Sequence, residues 1–477
     1  MKNYVFGILI LFLICLSIPL RAQKKSDTKF AKELDALKTY FHIPGLAALI
    51  VQDGEVVFEE YMGYANLQDS TRVDKNTSFP IASLTKIFSG VLMMKLVEEG
   101  KISLETSINQ YLKKSSLDDS ISIEHVLTHT SQGEPGQNFY YSYRFGALTP
   151  VIEKASDEDI KAAVSSLIFQ PANMSSSWFL TDSLETKKHK QEFAHPYLFN
   201  DSTQSGPIEY GVSASAGIVS TARDLAKFSQ ALDDTTLISD SSKQVLFSTL
   251  KEGLPYGHGI FNQKFGEHQI QWGYGQYDAY SSLFLKVPEK KITLVLLANS
   301  NLMSDPARLI YGDITSSLFA LSFLKNYVLD DSVSSTAILK REQLLAEALA
   351  ASFMSRFDDE QWKLSIQLLE TTFTSHPDFL EYADLNLLHN LMFLKTVAFH
   401  KNLGAFTKFD AKIEAIGGKL LEDDPDNPYA NVYMGNFYNG KGDLEKARLY
   451  FQTIVEAKNF SPFWYTSVAK EWLENNP

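Results

Sequence analysis

A single cysteine, Cys15, stands in the 477 residues, and it lies inside an apolar leader. Beyond that leader the chain has no thiol, so disulfides and a cysteine nucleophile are both excluded and the fold rests on its core alone. No phosphate-cradling glycine loop and no dinucleotide fingerprint occurs, so no cofactor is expected. Positive charge is scarce: 44 Lys and Arg stand against 57 Asp and Glu, a net charge of −13 without a basic stripe. Such a chain repels phosphate backbones, and nucleic acid is excluded as a partner. Long hydrophobic runs are equally rare. The one present, Tyr4 to Leu20, follows Lys2 and is closed by Ala22. It reads as a signal peptide over residues 1–23, too short for a comfortable span and followed by a small-residue exit. No later stretch is apolar enough to cross a membrane, so an exported chain without a span after signal removal is expected.

What remains is an ordinary globular composition, 44% apolar and 21% charged, long enough for two or three units. Two regimes follow the leader. Over residues 28–332 strand and helix patterns mix. "AALIVQDGEVVFEEYMGYA" (47–65) reads as two strands hinged at Asp53-Gly54, while "HQIQWGYG", "YSSLFLKVPE" and "KITLVLLAN" read as three more. Helices are expected over 83–99 and 220–232. The economical architecture is α+β: one mostly antiparallel sheet built from both ends of this region, with helices packed around it. Over residues 337–477 only helical spacing occurs. Residues 429–459 resemble one tetratricopeptide repeat, with Met434, Gly435, Tyr438, Gly442, Ala447 and Phe451 at its packing positions, whereas 353–377 fit that template poorly. A peptide- or protein-binding array and a helical appendage packed on the first region are both open readings.

Ser-x-x-Lys occurs at Ser26, Ser83, Ser248, Ser322 and Ser467, so the spacing alone carries no information. Context separates the copies. Ser83 heads "FPIASLTKIFSGVLMMKLVEEG" (79–100), a strongly apolar helix closed by Gly100, and Lys86 lies one turn further on the same side. A serine becomes a nucleophile when a neighbour removes its proton. A lysine can do this once burial lowers its pKa, or it can stay charged and favour a nearby phenolate that acts as the base. The competing reading is a helix-capping serine beside an ordinary lysine. His125 and His129 stand four apart on an expected helix, but "HVLTH" lacks the glutamate of the zinc-protease motif and no third ligand is evident, so no metal is expected. The acidic run "EDDPDNP" (422–428) reads as an exposed loop between helices.

The blocks "IPGLAALIVQDGEVVFEEYMGYAN", "FPIASLTKIFSGVLMMKLVEEGKISL", "IEHVLTHTS", "IFQPANMSSSWF", "SASAGIVSTARDLAKFSQAL" and "WGYGQYDAYSSLFLKVPEKKITLVLLANS" occur in the order found in the serine beta-lactamase-related family, and the resemblance covers about residues 30–305. That family includes class C beta-lactamases, D-alanyl-D-alanine carboxypeptidases and related esterases. The resemblance implies a secreted serine hydrolase, in the bacterial periplasm or outside the cell, acting through an acyl-enzyme on a peptide, ester or lactam carbonyl. It implies Ser83 as nucleophile and Lys86 with Tyr141 handling its proton. Two motifs depart from the family pattern. Tyr-x-Asn becomes Tyr141-Ser142-Tyr143, and the cation-small-Gly motif becomes Tyr274-Gly275-Gln276. Tyr143, Tyr274, Gly275, Gln276 and Tyr277 are therefore the expected substrate-side residues, with oxyanion donors at Ser83 and near Gln276 or Tyr277. The alternative is an inactive member that binds peptide or cell-wall fragments, its helical tail serving a protein partner.

Overall fold

A computed structural model describes residues 25–477 apart from 115, 116, 305, 307 and 330–332. The expected signal peptide and Cys15 lie outside the described residues. After helix α1 (Lys25–Tyr40), strands β1 (Gly45–Gln52), β2 (Glu55–Asn66) and β3 (Thr71–Arg72) open a sheet that is completed far downstream by β4 (Phe261–Phe265), β5 (His268–Tyr277), β6 (Tyr280–Val287) and β7 (Ile292–Ala298). The order is β3-β2-β1-β7-β6-β5-β4, antiparallel throughout, so both ends of the region meet at the centre of one sheet as expected. Central pairing of β1 with β7 sets Ala48 opposite Leu296. Every residue of β7 is buried, as its unbroken apolar run requires of a strand covered on both faces. Asp53 and Gly54, at φ of 50° and 80°, make the tight β1–β2 turn that only short polar residues and glycine adopt readily.

Helix α2 (Thr85–Glu98) runs through the middle of this region with Thr85 to Met94 all buried. Helix α3 (Ala222–Asp233), capped by Thr221, packs on β1 and β7. The close fit of α2 depends on Gly90: a side chain there would collide with the backbone carbonyl oxygen of His258.

From Val333 the chain is helical: α4 (Val333–Met354), α5 (Asp359–Ser375), α6 (Leu385–His400), α7 (Asp410–Asp423), α8 (Pro428–Gly440), α9 (Leu444–Glu456) and α10 (Trp464–Asn475). Helices α8 and α9 form the pair that resembles a tetratricopeptide repeat. Gly435 lets the Phe451 ring lie against the α8 backbone, and Gly442, at φ of 77°, turns the chain between them. These helices have a core of their own, built on residues such as Leu388, Val432, Phe437 and Phe451. Helix α4 belongs to both halves. Ala346, Ala350, Phe353 and Met354 join the core of the sheet region, while Ala348 joins the helical one.

The structure differs from expectation at two local features. The helix holding His125 ends at Leu127, and His129 takes φ of 57°, so the two histidines do not share a helical face. His125 Nδ1 instead accepts from its own helix cap, the Ser122 N–H, at 3.2 Å. The acidic run is not simply exposed: Asp424 is docked on the sheet region, and Asn427 caps α8.

Because Gly90 abuts backbone and not a flexible side chain, Gly90→Ala forces α2 outward. The substitution is expected to cost about 1–3 kcal/mol, the range of overpacking in a filled core, read as a lower denaturant midpoint. An unchanged midpoint would mean that α2 and residues 257–259 do not touch as described.

Candidate active site

Leaving the short strand Phe79–Pro80, the chain passes Ala82 at φ of 46° and enters a 3-10 turn, Ala82–Leu84, that runs directly into α2. A non-glycine residue pays about 1–2 kcal/mol for left-handed backbone, a strain that gathers where a side chain is presented instead of packed. The residue so presented is Ser83, partly exposed between buried Ala82 and Leu84. Neither the turn nor α2 has a side-chain cap, which removes the helix-capping reading of Ser83. Ser83 also lies just ahead of α2 and not in its first turn.

Lys86 is only 4% exposed. Its Nζ donates to Ser83 Oγ at 2.9 Å and to the Ser215 carbonyl at 3.4 Å, and lies 4.9 and 5.5 Å from the ring centres of Tyr141 and Phe145. Burial alone, with no carboxylate to oppose it, pulls its pKa down to about 7. The Ser322–Lys325 copy of the same spacing shows the contrast. There both side chains bond the Glu33 carboxylate in an ordinary polar cluster.

Tyr141 completes the group from a distant loop: its ring face lies 4.9 Å from Lys86 Nζ, and its phenol feels the Ser83 hydroxyl. Burial holds the phenol above its usual range, against the smaller effect of Ser83. Its ring stacks on His129 at 4.3 Å. His129 Nδ1 accepts from the Ser142 N–H at 3.2 Å, and burial together with the Lys86 charge keeps this imidazole neutral. The sequence block "LTHTS" contained His129, but nothing in its spacing assigned it to Tyr141.

The substrate-side residues divide. Tyr274 is buried, its ring 6.2 Å from that of Tyr141. Burial drives its phenol well upward, with Arg308 the positive charge that opposes this. Gly275 allows β5 to lie against the turn that carries Ser83, since a side chain there would strike the Ile81 carbonyl oxygen, to which Ser282 Oγ also donates at 2.8 Å. Gln276 and Tyr277 end the same strand, and Tyr277 packs against the Trp178 cluster. Tyr143 is not drawn into this group. It is 78% exposed, its ring edge-on to Phe463 of the helical region at 5.0 Å.

A buried amine with a lowered pKa makes stability depend on pH. From about pH 7 towards 10 the unfolded chain keeps a proton that folded Lys86 has released, so this group makes the protein more stable as pH rises. Lys86→Met should therefore stabilise the fold near pH 7 by about 2–5 kcal/mol, an advantage that shrinks towards pH 10. Unfolding free energies of both proteins at the two pH values check this; identical pH slopes would contradict the buried, unpaired amine.

Comparison with known proteins bears on family and fold. The Beta-lactamase family model matches residues 30–314. Penicillin-binding protein 4* of Bacillus subtilis is 21% identical over 418 residues, covering 70% of this chain and 92% of its own length. Protein flp of Staphylococcus aureus is 24% identical over 310 residues, covering 54% of this chain and 60% of its own. Among solved structures, the octameric penicillin-binding protein homologue of Pyrococcus abyssi shares the fold with a TM-score of 0.58 at 22% identity, over 67% of this chain and 81% of that one. With the family model spanning more than half of the sequence, the chain belongs to the Beta-lactamase family, a family of serine hydrolases.

Proposed function

We propose that the protein is an exported serine hydrolase in which Ser83 forms an acyl-enzyme with a peptide, ester or lactam carbonyl. The observation that carries this reading is an unpaired, nearly dry amine whose pKa is about 7, placed 2.9 Å from an accessible serine hydroxyl. Near neutral pH much of Lys86 is uncharged, and its lone pair accepts the Ser83 proton along the same contact. Tyr141, a phenol at that pH, is then a hydrogen-bonding partner and proton carrier, and Lys86 is the base.

In the acylation step, Ser83 Oγ bonds to the carbonyl carbon as its proton passes to Lys86 Nζ. The ammonium formed is stabilised by the faces of Tyr141 and Phe145. The oxyanion is held by the backbone N–H of Ser83 and one near Gln276 or Tyr277, brought alongside by the close approach at Gly275. Collapse breaks the bond to the leaving group, which takes the proton back from Lys86 by way of Tyr141. Water then attacks the ester carbon, again losing its proton to Lys86, and the ester bond breaks as Lys86 returns that proton to the Ser83 oxygen. Tyr274, Gly275, Gln276 and Tyr277 form the substrate side of the cleft. Because Tyr274 is a neutral phenol where the family pattern has a cation, recognition at that position runs through hydrogen bonding and ring contact, with Arg308 the charge within electrostatic reach.

Acylation by p-nitrophenyl acetate, followed as a nitrophenolate burst and by intact mass, should rise with pH through a midpoint near 7 and then level. Ser83→Ala should abolish the mass increment, and Lys86→Ala should slow acylation on the order of 10²–10⁴-fold. A rate that falls as pH rises, or an increment that survives Ser83→Ala, contradicts this function and favours a binding protein without turnover.

A further inference from the structure

The segment that carries Tyr141 has little regular structure of its own between Thr130 and Ser142. Fixing such backbone costs about 1–2 kcal/mol per residue, and the contacts that offset it come from two sides. From within, His129 holds the Ser142 amide and stacks on Tyr141. From outside, the contacts belong to the helical region. Tyr429, the second residue of α8, donates its hydroxyl to the Tyr141 carbonyl at 3.2 Å. The Tyr140 hydroxyl donates to both oxygens of Asp424, at 2.8 and 2.9 Å, and Asn138 Nδ2 donates to the same carboxylate at 3.1 Å. Arg144 closes the far end, with Nε donating to Ser461 Oγ at 2.6 Å and Nη2 to the Asn459 carbonyl.

These contacts are not surface decoration. Tyr140 is 1% exposed and Tyr429 3%. Tyr429 is itself wedged between the rings of Tyr311, at 5.1 Å, and Tyr465, at 5.4 Å. A buried hydroxyl or carbonyl left without its partner costs about 1–3 kcal/mol, so the loop and the helical region define each other's position. The residue between the two anchored positions, Tyr140 and Ser142, is Tyr141, whose ring faces Lys86 Nζ at 4.9 Å and whose phenol feels Ser83.

We propose that the helical region is a positioning element of the hydrolytic site, with Tyr429 and Asp424 as the positioning residues that set Tyr141 against Ser83 and Lys86. This rests on the acyl-enzyme reading given above. Neither residue touches the reacting atoms in this scheme. Their loss lowers the maximal rate of acylation without weakening reagent binding, since a misplacement near 1 Å at the reacting centre is enough for a loss on the order of 10²-fold.

The test uses the full chain and a fluorophosphonate, with labelling followed by intact mass at several reagent concentrations so that maximal rate and half-saturating concentration separate. Asp424→Ala combined with Tyr429→Phe is expected to lower the maximal rate at least tenfold with the half-saturating concentration unchanged. Asp424→Asn, whose amide oxygen still accepts from Tyr140, is expected to keep most of the rate. Should the double variant not fold, Tyr429→Phe alone, which removes one oxygen atom, decides on the same readout with an expected loss of several-fold. Wild-type labelling at Ser83 with variants labelled equally fast overturns the positioning role and leaves the acyl-enzyme reading intact. Equal losses in Asp424→Ala and Asp424→Asn, or a loss confined to half-saturation, also overturn it. No wild-type labelling, or labelling unaffected by Ser83→Ala, overturns both readings together.

Discussion

The site depends on one electrostatic constraint: an amine taken out of water with no negative charge to receive it. Lys86 bonds a hydroxyl and a carbonyl, and its remaining neighbours are ring faces. A carboxylate in that place would favour the ammonium; Lys325 of the Ser322 copy has such a neighbour in Glu33, and Lys86 does not. The fold tolerates the cost because α2 is anchored along almost its whole length in apolar core. Burial that would destabilise a marginal helix is here spread over a large structure.

That constraint in turn requires backbone to approach backbone. Around α2 and the turn before it, main chain lies directly on main chain. Gly259 sits over the Lys86 carbonyl, Gly90 meets the His258 carbonyl, and Gly275 meets that of Ile81. Each glycine marks a place where a Cβ would separate two layers that must touch. Ala82 is the exception that makes the point. Its left-handed backbone turns the chain so that Ser83 emerges from the packed surface while Lys86, one helical turn later, stays beneath it.

Much of this was legible in the residues. The Asp53-Gly54 turn and the strand order meeting at the centre of the sheet follow from local pattern, and the order of the blocks singles out Ser83 for proposal among five Ser-x-x-Lys copies. Periodicity reports which faces are apolar, and those faces fixed the two regimes. What was hidden is long-range. Nothing near Tyr141 in sequence announces that Tyr429 reaches its carbonyl from 288 positions away, nor that Asp424, inside a run that reads as a solvated loop, receives the Tyr140 hydroxyl. The spacing of four suggests one helical face for His125 and His129, but the helix ends two residues before His129. A helix end of that kind depends on the packing of the following loop and not on the five residues of the helix.

The altered third motif also has a consequence for the base. A cation at position 274 would stand near Tyr141 and its neighbour Lys86, and a second positive charge lowers a lysine pKa further. Here Tyr274 leaves burial as the only influence on Lys86. Tyr256, Tyr274 and Tyr141 are all kept as phenols by burial, so none supplies a negative charge that would restore the ammonium. With tyrosine in place of the cation, no charge from position 274 acts on the serine-lysine pair.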